Sequence, residues 1–199
     1  MFYSFLHIFF RSYFKLFFRC RAYGLENIPS SGSFVICSNH TSWFDPPLVG
    51  SIIPKRKRVY FMAKEELFST FILGKAIKML GAFPVKRDKA DRKAIAKALQ
   101  VLEDGNVLGL FPEGTRIKTG DIGEPFHGPA LIALKSGKPV LPVSIKWPSR
   151  IFQPLQVRIG KPLVFKEEGK IRKNILSDVS MAIMQEINKL RLEMHEEEE

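Results

Sequence analysis

Phe34-Val35-Ile36-Cys37-Ser38-Asn39-His40-Thr41-Ser42-Trp43-Phe44-Asp45-Pro46-Pro47 joins an apolar run to a polar turn and a proline pair. Phe34 to Cys37 is a short apolar run of β type, the pattern of a strand buried on both faces. Pro46 and Pro47 suit the first turn of a helix, where a missing N–H costs nothing and φ is already set. Strand, polar turn and helix start thus follow one another directly. His40 and Asp45 stand in that turn, five residues apart. On a regular helix this spacing separates side chains by about 140°, and on a strand it puts them on opposite faces. They can meet only across a turn, and proline pushes the residue before it out of helical geometry. A carboxylate bonded to one imidazole nitrogen would fix the tautomer and leave the other nitrogen to take a proton. Alternatively, Asp45 caps the helix beside an unrelated His40. Spacing alone leaves both readings open.

Working outward, Tyr23 to Ile28 reads as a short strand or extended arm, and Val59 to Met62 as the next strand. Leu67 to Leu80 has helical character and stops at Gly81. Lys89 to Asp104 carries Ile95, Ala98, Leu99 and Leu102 at helical spacing and ends at Gly105-Asn106. Val107 to Phe111 is a strand, Gly128 to Ser136 a helix, and Val140 to Ile145 and Val157 to Ile159 two more strands. Ile175 to Leu192 predicts a final helix with Leu176, Val179, Ile183, Ile187 and Leu190 on one side. Alternating elements with near-continuous apolar strands predict one α/β domain, a mostly parallel sheet covered by helices. Ligands in such sheets bind at the carboxyl ends of the strands.

The chain has 199 residues, enough for one well-buried domain. Its 17 phenylalanines and net charge of +11 stand out. Removing the acidic tail, 196–199, raises the charge further, so the body should attract anionic partners such as head groups, nucleic acid or an acidic carrier protein. Two cysteines, Cys20 and Cys37, provide neither a disulfide framework nor metal-ligand spacing. A reducing, cytosolic-side setting follows most simply.

Residues 1–22 are expected to form an amphipathic helix at a membrane surface, ahead of a catalytic domain over 23–195. Phe, Tyr, Leu and Ile dominate the first 19 positions, yet the longest stretch without Lys or Arg is residues 1–10. About 20 apolar residues are needed to cross a bilayer. Arg11, Lys15 and Arg19 recur every four residues, and Ser4 and His7 prolong the stripe. A narrow polar face on an aromatic helix is the pattern of an element lying in the interface plane. A helix buried in the core is the alternative.

Three more segments bear on chemistry. Phe111-Pro112-Glu113-Gly114-Thr115-Arg116 ends the Val107 strand, with a glycine that lets a ligand near the backbone and a planar cation suited to phosphate. Read alone it could be a turn with a surface ion pair. Gly81-Ala82-Phe83-Pro84-Val85-Lys86-Arg87 reads by default as a solvated basic turn, and Lys55-Arg56-Lys57-Arg58 as a loop facing head groups.

Taken together and in order, these blocks resemble the glycerolipid acyltransferase family, in particular its bacterial 1-acylglycerol-3-phosphate acyltransferases. The matching blocks are Asn39 to Asp45, Gly81 to Arg87, Phe111 to Arg116 and Val140 to Ile145. His followed by Asp at this spacing is weak evidence alone; joined to Phe-Pro-Glu-Gly-Thr-Arg it is strong. The resemblance implies that His40 is the general base and Asp45 its orienting partner. It implies that Arg87, Glu113, Gly114, Thr115 and Arg116 bind the acceptor, with the arginines on its phosphate. Pro142 would belong to the donor side or a pocket wall. The sequence departs from many members at Ile117, where they have Ser, and at His127-Gly128-Pro129, where they are lysine-rich.

The implied reaction moves a fatty acyl group from acyl carrier protein or coenzyme A thioester to the sn-2 hydroxyl of 1-acyl-sn-glycerol 3-phosphate, lysophosphatidic acid. The expected site is the cytoplasmic face of the membrane, with neither metal nor cofactor. Another acceptor, glycerol 3-phosphate or an amino-acid lipid, is a rival within the class. A non-catalytic basic module for membrane or nucleic acid explains the charge but not His40, Asp45 and Glu113 together, and no nucleic-acid reading motif is present.

Overall fold

In a computed structural model, residues 2–86, 91–116, 125–149, 153–167 and 169–196 are described. Seven strands form one sheet: β1 (Arg21–Tyr23), β2 (Val35–Ser38), β3 (Val59–Lys64), β4 (Ala82–Val85), β5 (Val107–Leu110), β6 (Val140–Lys146) and β7 (Gln156–Ile159). Their spatial order is β1-β7-β6-β2-β5-β3-β4. Every pairing is parallel except β6 with β7. The helices are α1 (Phe2–Phe17), α2 (Asp45–Ile52), α3 (Phe71–Met79), α4 (Arg92–Glu103), α5 (Gly128–Ser136) and α6 (Lys173–Glu196). The expected α/β domain with a mostly parallel sheet is what forms.

Alternation along the strands splits the core in two. Val35 and Cys37 of β2 point to one face and meet Ala98, Leu102, Ala133 and Ile183 from α4, α5 and α6. Phe34 and Ile36 point to the other and meet Phe14 of α1 with Leu48 and Val49 of α2. Both faces are covered, which is why the strands read as continuous apolar runs. β2 lies mid-sheet between β5 and β6, so the turn after it opens at the centre of the carboxyl edge.

Several expectations needed correction. β1 stops at Tyr23 because Gly24 takes a left-handed conformation (φ 75°) and a 3₁₀ turn follows over Leu25–Asn27. Leu67 to Leu80 is not one helix: a 3₁₀ turn over Glu65–Phe68 precedes α3, and Thr70 between them is extended. Gly81 to Val85 is no solvated turn, since Ala82–Val85 pairs with β3 and buries Phe83. Pro84 is tolerated there because β4 is an edge strand.

The N-terminal stripe also divides. His7 is only 7% exposed, and its Nε2 lies 2.7 Å from the Ile53 carbonyl. His7 therefore belongs with Phe10 and Phe14 on the face that α1 packs against α2, whereas Arg11 and Lys15 stay outside. Arg19 lies beyond the helix end. The basic run splits likewise. Lys57 is buried, donating from Nζ to the Gly32 carbonyl at 2.6 Å, while Arg58 lies over the rings of Tyr3 and Tyr60. Burial pushes the Lys57 ammonium below its ordinary pKa, with Arg56 adding to the effect. Two of the four cations thus work as structural ties, not as a lipid-facing loop.

Candidate active site

The chain leaves β2 at Ser38 and turns through Asn39 to Phe44 before α2 begins at Asp45. Asn39 anchors the turn. Its amide donates to the Ile145 carbonyl at 2.9 Å and accepts from the Ile145 N–H at 2.8 Å, imitating one more ladder pair between β2 and β6. His40 follows, and its Nδ1 lies 2.8 Å from Asp45 Oδ2. The same oxygen accepts the N–H groups of Thr41 and Ser42, each at 2.7 Å. Oδ1 accepts the Trp147 indole N–H at 2.7 Å. Asp45 is fully buried, and these four donors replace the water it has lost. This decides between the two sequence readings: Asp45 bonds to His40 and its turn, and makes no side-chain cap for α2.

With Asp45 accepting from Nδ1–H, the tautomer leaves Nε2 as the basic nitrogen. Among the described residues, Nε2 has no hydrogen-bond partner. The ring is held flat against Phe111, with centroids 4.1 Å apart and 21° between planes, and Phe111 stacks on Phe61 in turn. Phe61 can lie there because its β5 neighbour is Gly109, where any side chain would run into its ring. Glu113 is buried behind the turn, its Oε2 accepting the His40 N–H at 3.1 Å. The segment just past β5 thus contributes a wall through Phe111 and a clamp through Glu113.

The remaining expected residues lie around this pair. Gly114 has φ 63°, and an added Cβ would come within 2.5 Å of the Phe126 ring, so only glycine fits without strain. Thr115 is exposed. Arg116 lays its guanidinium 3.7 Å from the ring centroid of exposed Trp43. Arg87 and Ile117 lie outside the described residues. Pro142 sits inside β6 opposite Cys37 and lines neither cavity described below.

Two cavities reach the site. One, of about 470 Å³, is mostly apolar and lies between α1, α2, α3 and β3, with His40 and Phe111 in its lining. The second, of about 930 Å³, lies on the opposite side, between the ends of β4 and β5 and the helices α4 and α5. Lys86, Arg92 and Lys135 border it, together with Asp91 and His127. Both cavities touch Met62 and Phe111. Burial pushes the Cys20 thiol up to about 11 and the Cys37 thiol higher still, so neither supplies a thiolate at neutral pH. Among the described residues no His, Cys, Asp and Glu cluster could hold a metal ion.

Trp147 and Phe111 carried no sign of these contacts in the sequence. Trp147 lies 102 residues beyond Asp45, and only the parallel alignment of β2 with β6 brings them together. A tryptophan just past a strand end was the one available hint.

The fold is α/β, with a histidine–carboxylate pair held at the carboxyl edge of its parallel strands. The acyltransferase family model matches residues 19–146, and the chain belongs to that family. It is 32% identical over 149 residues to the 1-acyl-sn-glycerol-3-phosphate acyltransferase of Bacillus subtilis, covering 72% of this chain and 73% of that one. With the chloroplastic 1-acyl-sn-glycerol-3-phosphate acyltransferase LPAT1 of Arabidopsis thaliana it shares 32% over 138 residues, spanning 38% of that longer protein. The crystal structure of the 1-acyl-sn-glycerophosphate (LPA) acyltransferase from Thermotoga maritima is also similar. It superposes with a TM-score of 0.72 at 28% identity, covering 95% of this chain and 79% of that one.

Proposed function

We propose that this acyltransferase moves a fatty acyl group from a thioester, of acyl carrier protein or coenzyme A, to the sn-2 hydroxyl of 1-acyl-sn-glycerol 3-phosphate, giving phosphatidic acid. The observation that carries the reading is the 2.8 Å contact of His40 Nδ1 with buried Asp45, where His40 lines a mostly apolar cavity. The relatives named above supply the acceptor. His40 Nε2 takes the hydroxyl proton while the oxygen attacks the thioester carbonyl, forming a C–O bond and a tetrahedral oxyanion. Collapse breaks the C–S bond, and the imidazolium returns the proton to the departing thiolate. Asp45 holds the ring and stabilises its cationic form. A positioned base of this kind contributes about 10²–10⁴-fold in rate.

The apolar cavity suits an acyl chain. The cation-bordered cavity across Phe111 suits the phosphate of the acceptor, with Gly114 on its wall and Arg116 close by in sequence. Arg87 and Thr115 complete the acceptor-binding set, and Glu113 acts by fixing the His40 main chain. The outer face of α1 lies against the cytoplasmic surface of the membrane, where acceptor and product reside. No helix among the described residues is long and apolar enough to cross a membrane. Incubation with lysophosphatidic acid and each donor in turn, read by product mass, tests the reading. Phosphatidic acid from at least one donor is expected, and its absence with both would overturn the assignment.

A further inference from the structure

Exposed apolar side chains gather on two helices that flank the apolar cavity. α1 lines it with Tyr3, Leu6, His7 and Phe10, and α3 with Leu73, Ala76 and Ile77. The two helices run in opposite senses. Tyr3 Oη accepts the N–H of Val59 at the amino end of β3, while Phe18, just past α1, meets Trp147 beyond the carboxyl end of β6. α3 starts after the carboxyl end of β3 and ends at Met79, two residues before Gly81, whose carbonyl accepts the Phe61 N–H. The last turn of α1 and the first turn of α3 therefore both lie at the sheet edge that bears His40. There Leu16 and Phe17 are 74% and 75% exposed, and Phe71 and Ile72 are 85% and 81% exposed.

Such side chains are normally buried, and clusters of them mark sites of association. Charge selects the occupant. α1 and α3 carry Arg11, Lys15, Lys75 and Lys78 and no acidic residue. The nearby Glu65 and Glu66 of the preceding turn are each paired with a lysine, Lys86 and Lys64. Exposed aromatic and aliphatic tips framed by lysine and arginine match an anionic bilayer, which takes apolar groups below a layer of phosphates.

We propose that the first turn of α3, through Phe71 and Ile72, is a second membrane insertion point opposite α1. Leu73, next along α3, is itself partly exposed and lines the cavity. Insertion on both sides thus seats the cavity's opening on the lipid, so that an acyl chain passes from bilayer to His40 without crossing water. One inserted helix would leave the body free to rotate about it; two fix its orientation. The inference rests on the acyltransferase reading only for the meaning of the cavity.

The full chain is sedimented with phosphatidylcholine vesicles, with and without a phosphatidylglycerol fraction and without any substrate. The double variant Phe71→Ser/Ile72→Ser should partition roughly tenfold or more weakly into the anionic vesicles. Phe71→Trp should bind as the parent does. Turnover on a short-chain, water-soluble acceptor without vesicles should be the same for all three, because neither side chain lines the cavity. Unchanged vesicle binding by the double variant overturns the proposal. So does a loss of binding matched by an equal loss of vesicle-free turnover, or a change in self-association in place of lipid binding. A protein that binds vesicles through both helices yet makes no phosphatidic acid defeats the acceptor assignment and leaves this docking face standing.

Discussion

At the carboxyl end of β2 polar groups are buried, whereas along α1 and at the start of α3 large apolar groups face outward. Both regions invert the usual sorting of a soluble protein, and they do so by different means. Asp45 and Glu113 are tolerated inside because N–H donors meet them: Asp45 has four, and Glu113 holds the His40 main chain. Among the described residues, Phe71, Ile72, Leu16 and Phe17 remain largely uncovered. A buried carboxylate met by donors is held in one geometry, whereas exposed apolar side chains stay open to association.

The largest expected effect is at the proposed base and its partner, His40 and Asp45. His40→Ala should cut turnover by roughly 10²–10⁴-fold with vesicle binding and circular dichroism unchanged; retained turnover would remove the proposed base. Asp45→Asn should approach the same loss in rate. It should also destabilise the fold by about 1–3 kcal/mol, because an amide turns one of two accepting oxygens into a donor facing donors. Urea titration reads that difference.

Trp147→Phe sharpens the account of the buried side. It keeps the ring that packs on Phe14 and Phe18 but removes the N–H to Asp45 Oδ1. The unpaired oxygen should cost about 1–3 kcal/mol of stability. If the indole positions Asp45, the pH profile of kcat should also shift while KM for the acceptor holds. A stability loss with an unmoved profile would make Trp147 packing alone.

On the exposed side, Phe5→Ser/Phe9→Ser should weaken vesicle sedimentation and leave the melting temperature nearly unchanged, since both rings already face outward. A large fall in melting temperature would show instead that this face of α1 is covered within the folded protein. The smallest expected effect is at Asp91, whose oxygens accept the N–H groups of Lys86 and Ala94, each at 3.0 Å, joining β4 to α4. Those backbone hydrogen bonds hold its carboxyl below the ordinary pKa. Its stabilising contribution is therefore present above the usual carboxylate range and lost as pH falls through the lowered value. Asp91→Ala should lower the melting temperature at neutral pH, and the gap from the parent should close in strong acid.

The element types around the site were legible because burial on two faces writes itself into consecutive residues. Phe34 to Cys37 could be little else than an inner strand, and Gly128 to Ser136 forms a helix with those bounds. β4 was hidden because Pro84 and the flanking lysine and arginine speak for a turn. Only its place at the sheet edge, where one side of the ladder is unpaired, permits the proline. His7 misled for a similar reason: period alone groups it with Arg11 and Lys15. The contact with the Ile53 carbonyl, 46 residues away, turns it inward.

Local pattern already specified the α/β class, the position of the candidate chemistry at a strand's carboxyl end, and the two residues able to form a base and its orienting partner. These follow from periodicity, turn residues and chemical type, which are local. Tertiary structure alone decided that Asp45 bonds to His40 instead of capping α2, that Trp147 and Glu113 secure the pair, and that α1 and α3 frame one cavity. The first depends on how the turn after β2 closes, and the others on elements far apart in sequence lying side by side, which local preference does not encode.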